Sequence, residues 1–411
     1  MGTGKLIMIS FMVISLLFSF LCILFFPAIL TKPISRFNPI IESNAVFLPN
    51  VDQNPYPVTF AYLISASKGD VGKLKRLLLA LYHPGNYYLI HLDQEAPAAE
   101  QRELAAFVAE EDVFGLVGNV WIVGKPNLVT YRGPTMLATT LHGMAILLRS
   151  FKYWDWFINL SASDYPLMTQ DDLIDGFSGL PRGLNFIQHS SHLGWKLNNR
   201  GKPIMIDPAL YSLNKSEIWW VIKRRSLPTA FKLYTGSAWT ILSRSFVEYC
   251  ILSYENLPRS LLLYYTNFVS SPEGYFQTVV CNSEDYKNTT VNHDLHYLSW
   301  DNPPRQHPRY LGPKDYRRMI LSSRPFARKF KEKNSVLDWI DKQLLKRHYG
   351  GFNYGGWCSD SESSIGKSQR RACSGLKSEN YGVLRPGPGS RRLKSLLKNT
   401  LSAKFNKQQC R

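Results

Sequence analysis

At 411 residues and 45% hydrophobic content, the chain has ample material for a sizeable packed core, in one large domain or two small ones. Its formal charge of +18 calls for an anionic partner, and much of the excess sits in residues 305–333 and in Lys367, Arg370, Arg371, Arg391, Arg392, Lys394, Lys398 and Lys404. No zinc-finger, RNA-recognition or basic-zipper pattern accompanies it, which argues against nucleic acid and for a nucleotide diphosphate or an acidic glycan.

Residues 6–30 form an uncharged apolar run, longer than the ~20 residues needed to span a bilayer. No A-x-A-like cleavage site follows, so an uncleaved signal anchor is expected, with a cleaved signal as the alternative. Lys5 favours a cytosolic tail at 1–5 and a lumenal body, although Lys32 and Arg36 blunt the charge bias. Residues 31–57 are rich in Pro, Asn and Ser and read as a stem.

The body begins with a strand at 58–65, a helix at 71–82, and a strand at 87–92 that ends in Asp93. A helix at 97–113, a strand at 120–123, a helix at 134–150 and a strand at 156–160 follow. Pro97 and Pro134 suit first-turn positions of their helices. This alternation predicts an α/β fold with a mostly parallel central sheet flanked by helices. Ligands of such sheets lie beyond the carboxyl ends of the strands, which puts 65–70, Asp93 and 161–166 on one rim. Strands at 185–188 and 237–242 and helices at 244–254, 273–280, 316–322 and 336–348 complete a catalytic-sized domain, 58–358. From Ser359 to Arg411 the chain is basic and Ser/Gly-rich, and a flexible tail is expected.

Five of the six cysteines (Cys250, Cys281, Cys358, Cys373 and Cys410) lie beyond the apolar run. An oxidising lumen favours disulfides, and the odd number leaves at least one thiol free or intermolecular. Asn214 and Asn288 head glycosylation sequons, and a third at Asn159 lies in an apolar run. Of the tryptophans, Trp154, Trp156, Trp195, Trp219, Trp220, Trp239 and Trp300 offer faces for sugar rings, with core packing as the plainer reading.

Glu273 stands at the start of a predicted helix, where backbone N–H groups favour a carboxylate. Sugar transfer with inversion needs one such base, although spacing alone favours a plain capping glutamate. Asp93 and Asp164 end or follow strands, where acids hold a uracil edge or a sugar hydroxyl, or cap the next helix. A convincing Asp-x-Asp pair is missing from the core strand ends, and the pairs His189/His192 and His293/His296 lack a third ligand of suitable spacing for a metal. If no cation neutralises a diphosphate, side chains must, and Arg324, Arg328 and Lys329 are the obvious cluster. A solvated basic face is the alternative.

In order and spacing, 61–65, 91–93, 157–166, 235–239, 271–273, 295–300 and 326–330 resemble the core-2/I-branching glycosyltransferases, most closely the plant β-glucuronosyltransferases of arabinogalactan synthesis. The resemblance covers roughly residues 57–358. It implies a type II Golgi membrane protein with a GT-A-like fold, an inverting mechanism and no metal cofactor. It puts the catalytic base at Glu273, the diphosphate-binding lysine at Lys329, the donor-side acid at Asp164 and acceptor contacts at Trp239, with Trp300 close to the same motifs. UDP-glucuronic acid is the implied donor and a β-galactan chain of arabinogalactan proteins the implied acceptor. One departure stands out: animal relatives carry an arginine for the diphosphate where this chain has His296, so Arg324 or Arg328 must compensate. Arg132 and Lys68 are candidate partners for the donor's own carboxylate. The same fold with N-acetylglucosamine or xylose as the sugar, or a non-catalytic glycan-binding relative, remain the competing readings.

Overall fold

Hydrophobic residues at consecutive positions, rather than at alternate ones, make the first strand a sheet centre. In β1 (Phe60–Ala66), Phe60, Tyr62 and Ile64 enter one core cluster while Ala61 and Leu63 enter another on the opposite face. A strand buried on both faces needs parallel neighbours and covering helices. The computed structural model has that arrangement, and it describes residues 54–212, 217–305, 307–360, 373–376, 378–402 and 409–411. All of these belong to one compact unit, Ala45–Arg411. The apolar run 6–30, the stem up to residue 53 and Asn214 lie outside the described residues. Among the described residues no helix is long and apolar enough to cross a membrane.

In chain order, β1 is followed by α1 (Val71–Leu81), β2 (Tyr87–Leu92), α2 (Ala98–Glu110), α3 (Asp112–Val117), β3 (Val120–Ile122), α4 (Thr135–Ser150), β4 (Trp156–Ser161) and β5 (Asp164–Pro166). Next come α5 (Gln170–Phe177), β6 (Asn185–Phe186), β7 (His189–Ser190), β8 (Ile204–Ile206), β9 (Trp219–Val221), β10 (Thr235–Gly236), β11 (Ile241–Ser243), α6 (Arg244–Leu252), α7 (Leu257–Tyr265) and α8 (Tyr275–Asn282). The chain closes with β12 (Thr290–Val291), β13 (His296–Tyr297), α9 (Tyr316–Leu321), β14 (Phe326–Arg328), α10 (Ser335–Ile340), β15 (Cys358–Asp360), β16 (Cys373–Leu376) and α11 (Pro388–Thr400).

The main sheet has the order β12-β6-β11-β4-β1-β2-β3. Strands β4, β1, β2 and β3 run parallel, and β11 enters antiparallel to β4. A second sheet, β13-β14-β5, brings residues 296–297 and 326–328 to the end of β4. The expected α/β fold is therefore present, with its first half close to the expected bounds. The helix expected at 97–113 is interrupted at Glu111, whose backbone is extended. Of the strand expected at 237–242, Ile241 and Leu242 join the sheet and Thr235–Gly236 pairs with β7 instead.

The flexible tail expected from Ser359 onward is corrected for residues 378–402. Helix α11 buries Leu393 and Leu397 against the core. Its entry is tied to acids of α5: Asp172 Oδ1 accepts from the backbone N–H of Gly387 at 2.6 Å and of Ser390 at 3.0 Å, and Lys394 pairs with Asp175 at 2.8 Å. A carboxylate at a helix N-terminus is favoured by the helix dipole. The C-terminus is also fastened, because Cys410 is disulfide-bonded to Cys281. Cys358 is disulfide-bonded as well, whereas Cys250 is a free, buried thiol.

Candidate active site

The carboxyl rim of the sheet gathers acids and cations from distant stretches of chain. Asp164, fully buried on β5, is its inner hub. Its Oδ2 accepts from the Ser161 backbone N–H at 2.6 Å, the Ser161 hydroxyl at 3.0 Å and the Trp239 indole Nε1–H at 2.9 Å. Its Oδ1 faces the Arg328 Nε at 3.4 Å. The Arg328 guanidinium lies flat over the Trp239 ring, 3.1 Å from its centroid. Burial lowers the Arg328 pKa and Asp164 opposes that shift. Asp164, Trp239 and Arg328 thus form one preassembled block, and Trp239 gives one ring face and its only donor to that block.

A second group of cations stands beside it. The Lys329 ammonium lies over the Tyr310 ring at 4.4 Å, with Lys331 over the same ring at 5.3 Å. Tyr131 donates or accepts through its hydroxyl at 2.9 Å from His307 Nδ1. The His307 pKa is lowered by burial and then by the charges of Lys329, Arg132 and Arg328. Arg132 holds a left-handed backbone (φ 64°), and its carbonyl accepts from the Ser270 N–H at 2.9 Å.

Arg324 and His296 are placed differently from expectation. Arg324 Nη1 donates to the His296 carbonyl at 2.5 Å. His296 is fully buried, stacks on Phe326 at 5.2 Å, and its Nδ1 donates to the Asp294 carbonyl at 2.7 Å. Burial lowers its pKa, so the ring is neutral and presents a lone pair at Nε2.

Glu273 ends a short 3₁₀ turn (Ser271–Glu273) that precedes α8, rather than opening the helix itself. Ser270 takes a left-handed backbone (φ 58°), and the buried Ser271 hydroxyl donates to the carbonyls of Tyr265 and Phe268 at 2.7 and 2.8 Å. Gly274 lets the turn pass Tyr265, since a Cβ there would stand 2.8 Å from the ring. The Glu273 carboxylate accepts from Arg200 Nη1 at 2.6 Å and pairs with Lys196 Nζ at 3.4 Å. Lys196 also donates to the Thr235 hydroxyl at 3.1 Å. The run from Thr235 to Trp239 therefore connects the Glu273 side of the rim to the Asp164 block. Gln277 Nε2 fixes its middle by donating to the Ser237 carbonyl at 2.6 Å.

Asp93 is buried at the end of β2, where its Oδ1 accepts from the Glu95 N–H at 3.0 Å. Trp300 is half exposed on the loop that the Arg309 N–H to Ser299 carbonyl bond closes. Asn288 is exposed, whereas Asn159 is held by Ala238 and Thr240 within the fold. Sequence reading missed Lys196, Arg200, His307 and Tyr310. For the first two, the i, i+4 spacing after Trp195 was the available signal. His189 lies near Cys281 and Cys410, but those sulfurs form a disulfide and both ring nitrogens of His189 are engaged, with the Ile187 carbonyl and the Cys410 N–H.

Comparison with known proteins agrees with this geometry. A family model described as Core-2/I-Branching enzyme matches residues 60–320. Three β-glucuronosyltransferases of Arabidopsis thaliana are similar over most of their length. GlcAT14A is 55% identical, covering 87% of this chain and 79% of its own, and GlcAT14B is 52% identical, covering 92% and 85%. GlcAT14C is 57% identical, covering 70% and 74%. The family-model match over residues 60–320 and these close relatives place the chain in the Core-2/I-branching enzyme family.

Proposed function

We propose that the chain transfers glucuronic acid from UDP-glucuronic acid to galactose residues of β-galactan chains on arabinogalactan proteins, with inversion and without a metal cofactor. Glucuronosyl transfer is supported by the 52–57% identity to β-glucuronosyltransferases. The reading is carried by one observation: Glu273 is held between the cations Lys196 and Arg200, on a turn that hydrogen-bonds the Arg132 backbone, while Lys329 rests on Tyr310 outside the Asp164–Arg328 block.

Glu273 takes the proton of the attacking galactose hydroxyl, whose oxygen bonds the anomeric carbon from the face opposite UDP. The bond to the diphosphate breaks in the same displacement, and the electron pair leaves with UDP. Lys329 and Arg132 are charge-matched to the departing diphosphate, the role a divalent cation fills in other transferases. Asp93 serves the nucleoside or the donor sugar, while Asp164 acts from beneath the rim by holding Trp239 and Arg328 in place. Trp300 contributes to the acceptor side. In this reading the run 6–30 anchors the protein as a single-pass type II protein of the Golgi membrane, with Asn214 and Asn288 glycosylated in the lumen.

Glu273→Gln tests the assignment. The folded variant is expected to bind UDP and to transfer about 10²–10⁴-fold more slowly. A folded variant working at the wild-type rate would overturn the base assignment. Activity abolished by EDTA and restored by manganese would overturn the metal-free reading, and a donor panel including UDP-N-acetylglucosamine and UDP-xylose decides the sugar.

A further inference from the structure

A cluster of exposed aromatic residues stands near Arg200, the ion-pair partner of Glu273. Trp195, Trp219 and Trp220 are 63%, 65% and 58% exposed, and Ile222 is fully so. Solvent-facing clusters of large apolar side chains mark interaction sites. These residues surround the hairpin β8–β9 and the turn at 197–201. Between hairpin and turn runs an open trough of about 390 Å³, lined by Asn199, Pro203, Trp220, Val221, Ile222 and Arg224. That volume falls in the range of small-ligand sites.

The hairpin is fixed relative to the catalytic carboxylate. Met205 exchanges hydrogen bonds with Asn267, at 3.2 Å from its N–H and 3.0 Å to its carbonyl. Arg225 donates to the Gly201 and Tyr264 carbonyls, both at 3.0 Å. The neighbouring Phe268 carbonyl accepts from Ser271, within the turn that carries Glu273. On the other wall, Asn199 adjoins Arg200, which bonds Glu273 and lies over the Trp195 ring at 5.3 Å. The aromatic surface is therefore continuous with the catalytic side of the rim.

Register separates the two hairpin tryptophans. Trp220 pairs with Met205, which is fully buried, and Trp219 pairs with Ile206. Trp220 lines the trough together with Val221 and Ile222, whereas Trp219, exposed on the same hairpin, is not among its lining residues.

We propose that this trough is a remote acceptor subsite, in which Trp220 stacks against a neutral hexose of the acceptor chain some residues away from the attacking hydroxyl. It rests on the acceptor being a glycan chain, as proposed above. The chemistry fits a sugar. An indole takes the apolar C–H face of a pyranose, while Asn199 and Arg224 offer polar groups at the edges for its hydroxyls. The concave shape and its continuity with Arg200 and Glu273 favour a chain substrate over a membrane surface, which would engage both hairpin tryptophans.

The test uses the full-length protein in detergent micelles with two acceptors, a linear β-galactan oligosaccharide and methyl β-galactoside. For W220A, kcat/KM on the oligosaccharide is expected to fall about tenfold, through KM, an anchor-residue effect. Its activity on methyl β-galactoside stays unchanged, W220F recovers part of the loss, and W219A behaves as wild type. Equal losses on both acceptors, or no loss on the oligosaccharide, would refute the subsite. Calorimetric affinity of the oligosaccharide for wild type and W220A gives a readout that needs no turnover. If wild type transfers no glucuronic acid to either acceptor, the proposed reaction fails, while a W220A-sensitive affinity still supports the subsite and an insensitive one overturns it. Liposome binding lost in both W219A and W220A, with oligosaccharide affinity unchanged, would assign the hairpin to the membrane and overturn the proposal.

Discussion

Asp164→Asn is the perturbation that most directly probes how the rim is built. The carboxylate accepts from three donors through Oδ2 and faces the buried Arg328 guanidinium through Oδ1. An asparagine keeps the shape but brings an NH₂ into a site surrounded by donors, and it leaves the guanidinium charge uncompensated. Among the described residues, Arg328 Nε and Nη1 have no hydrogen-bond acceptor, so the charge depends chiefly on Asp164, with Asp294 a lesser contributor, and on the Trp239 face. Removing one member of a buried pair costs roughly 3–5 kcal/mol. The complementary Arg328→Gln is expected to cost less, because Asp164 retains its three donors. The double variant is expected to be more stable than the sum of the singles by about 1–3 kcal/mol, the range for directly coupled groups. The assay is urea denaturation followed by tryptophan fluorescence on all four proteins. Additivity within about 0.5 kcal/mol would refute the idea that Asp164 compensates Arg328.

Two further outcomes follow from particular contacts. Cys410→Ser opens a cross-link spanning 129 residues, for which chain entropy gives about 5 kcal/mol as an upper figure, so a clearly lowered melting temperature is expected by calorimetry. An unchanged melting temperature would mean that the C-terminus does not hold the fold. The His91 pKa is lowered to about 4 by burial and then by His142, and its Nε2 accepts from the Asn127 N–H at 2.9 Å. Below its ordinary value of 6.5 the unfolded chain takes up a proton that the folded ring refuses. Stability is therefore full above pH 6.5 and declines by up to roughly 3 kcal/mol as pH falls towards 4. His91→Gln, which keeps an acceptor but cannot titrate, should flatten that slope in pH-dependent denaturation.

What could be read from sequence divides by contact range. β1, β2, β4, α1 and α4 emerge within a residue or two of expectation, because their own hydrophobic runs are long enough to declare their period. β5 was not legible: a three-residue strand acquires its identity from residues 326–328, far along the chain. α11 was hidden by basic, Ser/Gly-rich composition, since two buried leucines and the acids of α5 give it its place. At the site, the family resemblance pointed to Glu273, Lys329 and Asp164 as candidates. Their surroundings were not. Arg200 reaches Glu273 across 73 residues, and Trp239 reaches Asp164 across 75.

The electrostatics of the rim also explain why a strongly basic chain needs acids at its centre. Arg328 and Asp164 neutralise one another in a buried block, so that pair adds shape and rigidity rather than net charge. Lys329 and Arg132 supply the unneutralised positive field, and among the described residues neither has a carboxylate within ion-pair distance. A buried cation released from its acid would carry a desolvation cost into every catalytic cycle. A cation resting on Tyr310 can instead turn to a diphosphate without giving up a partner of comparable strength. In the proposed mechanism the two neighbouring residues of one segment divide the labour, Arg328 packed on Trp239 and paired with Asp164, and Lys329, resting on Tyr310, assigned to the leaving group.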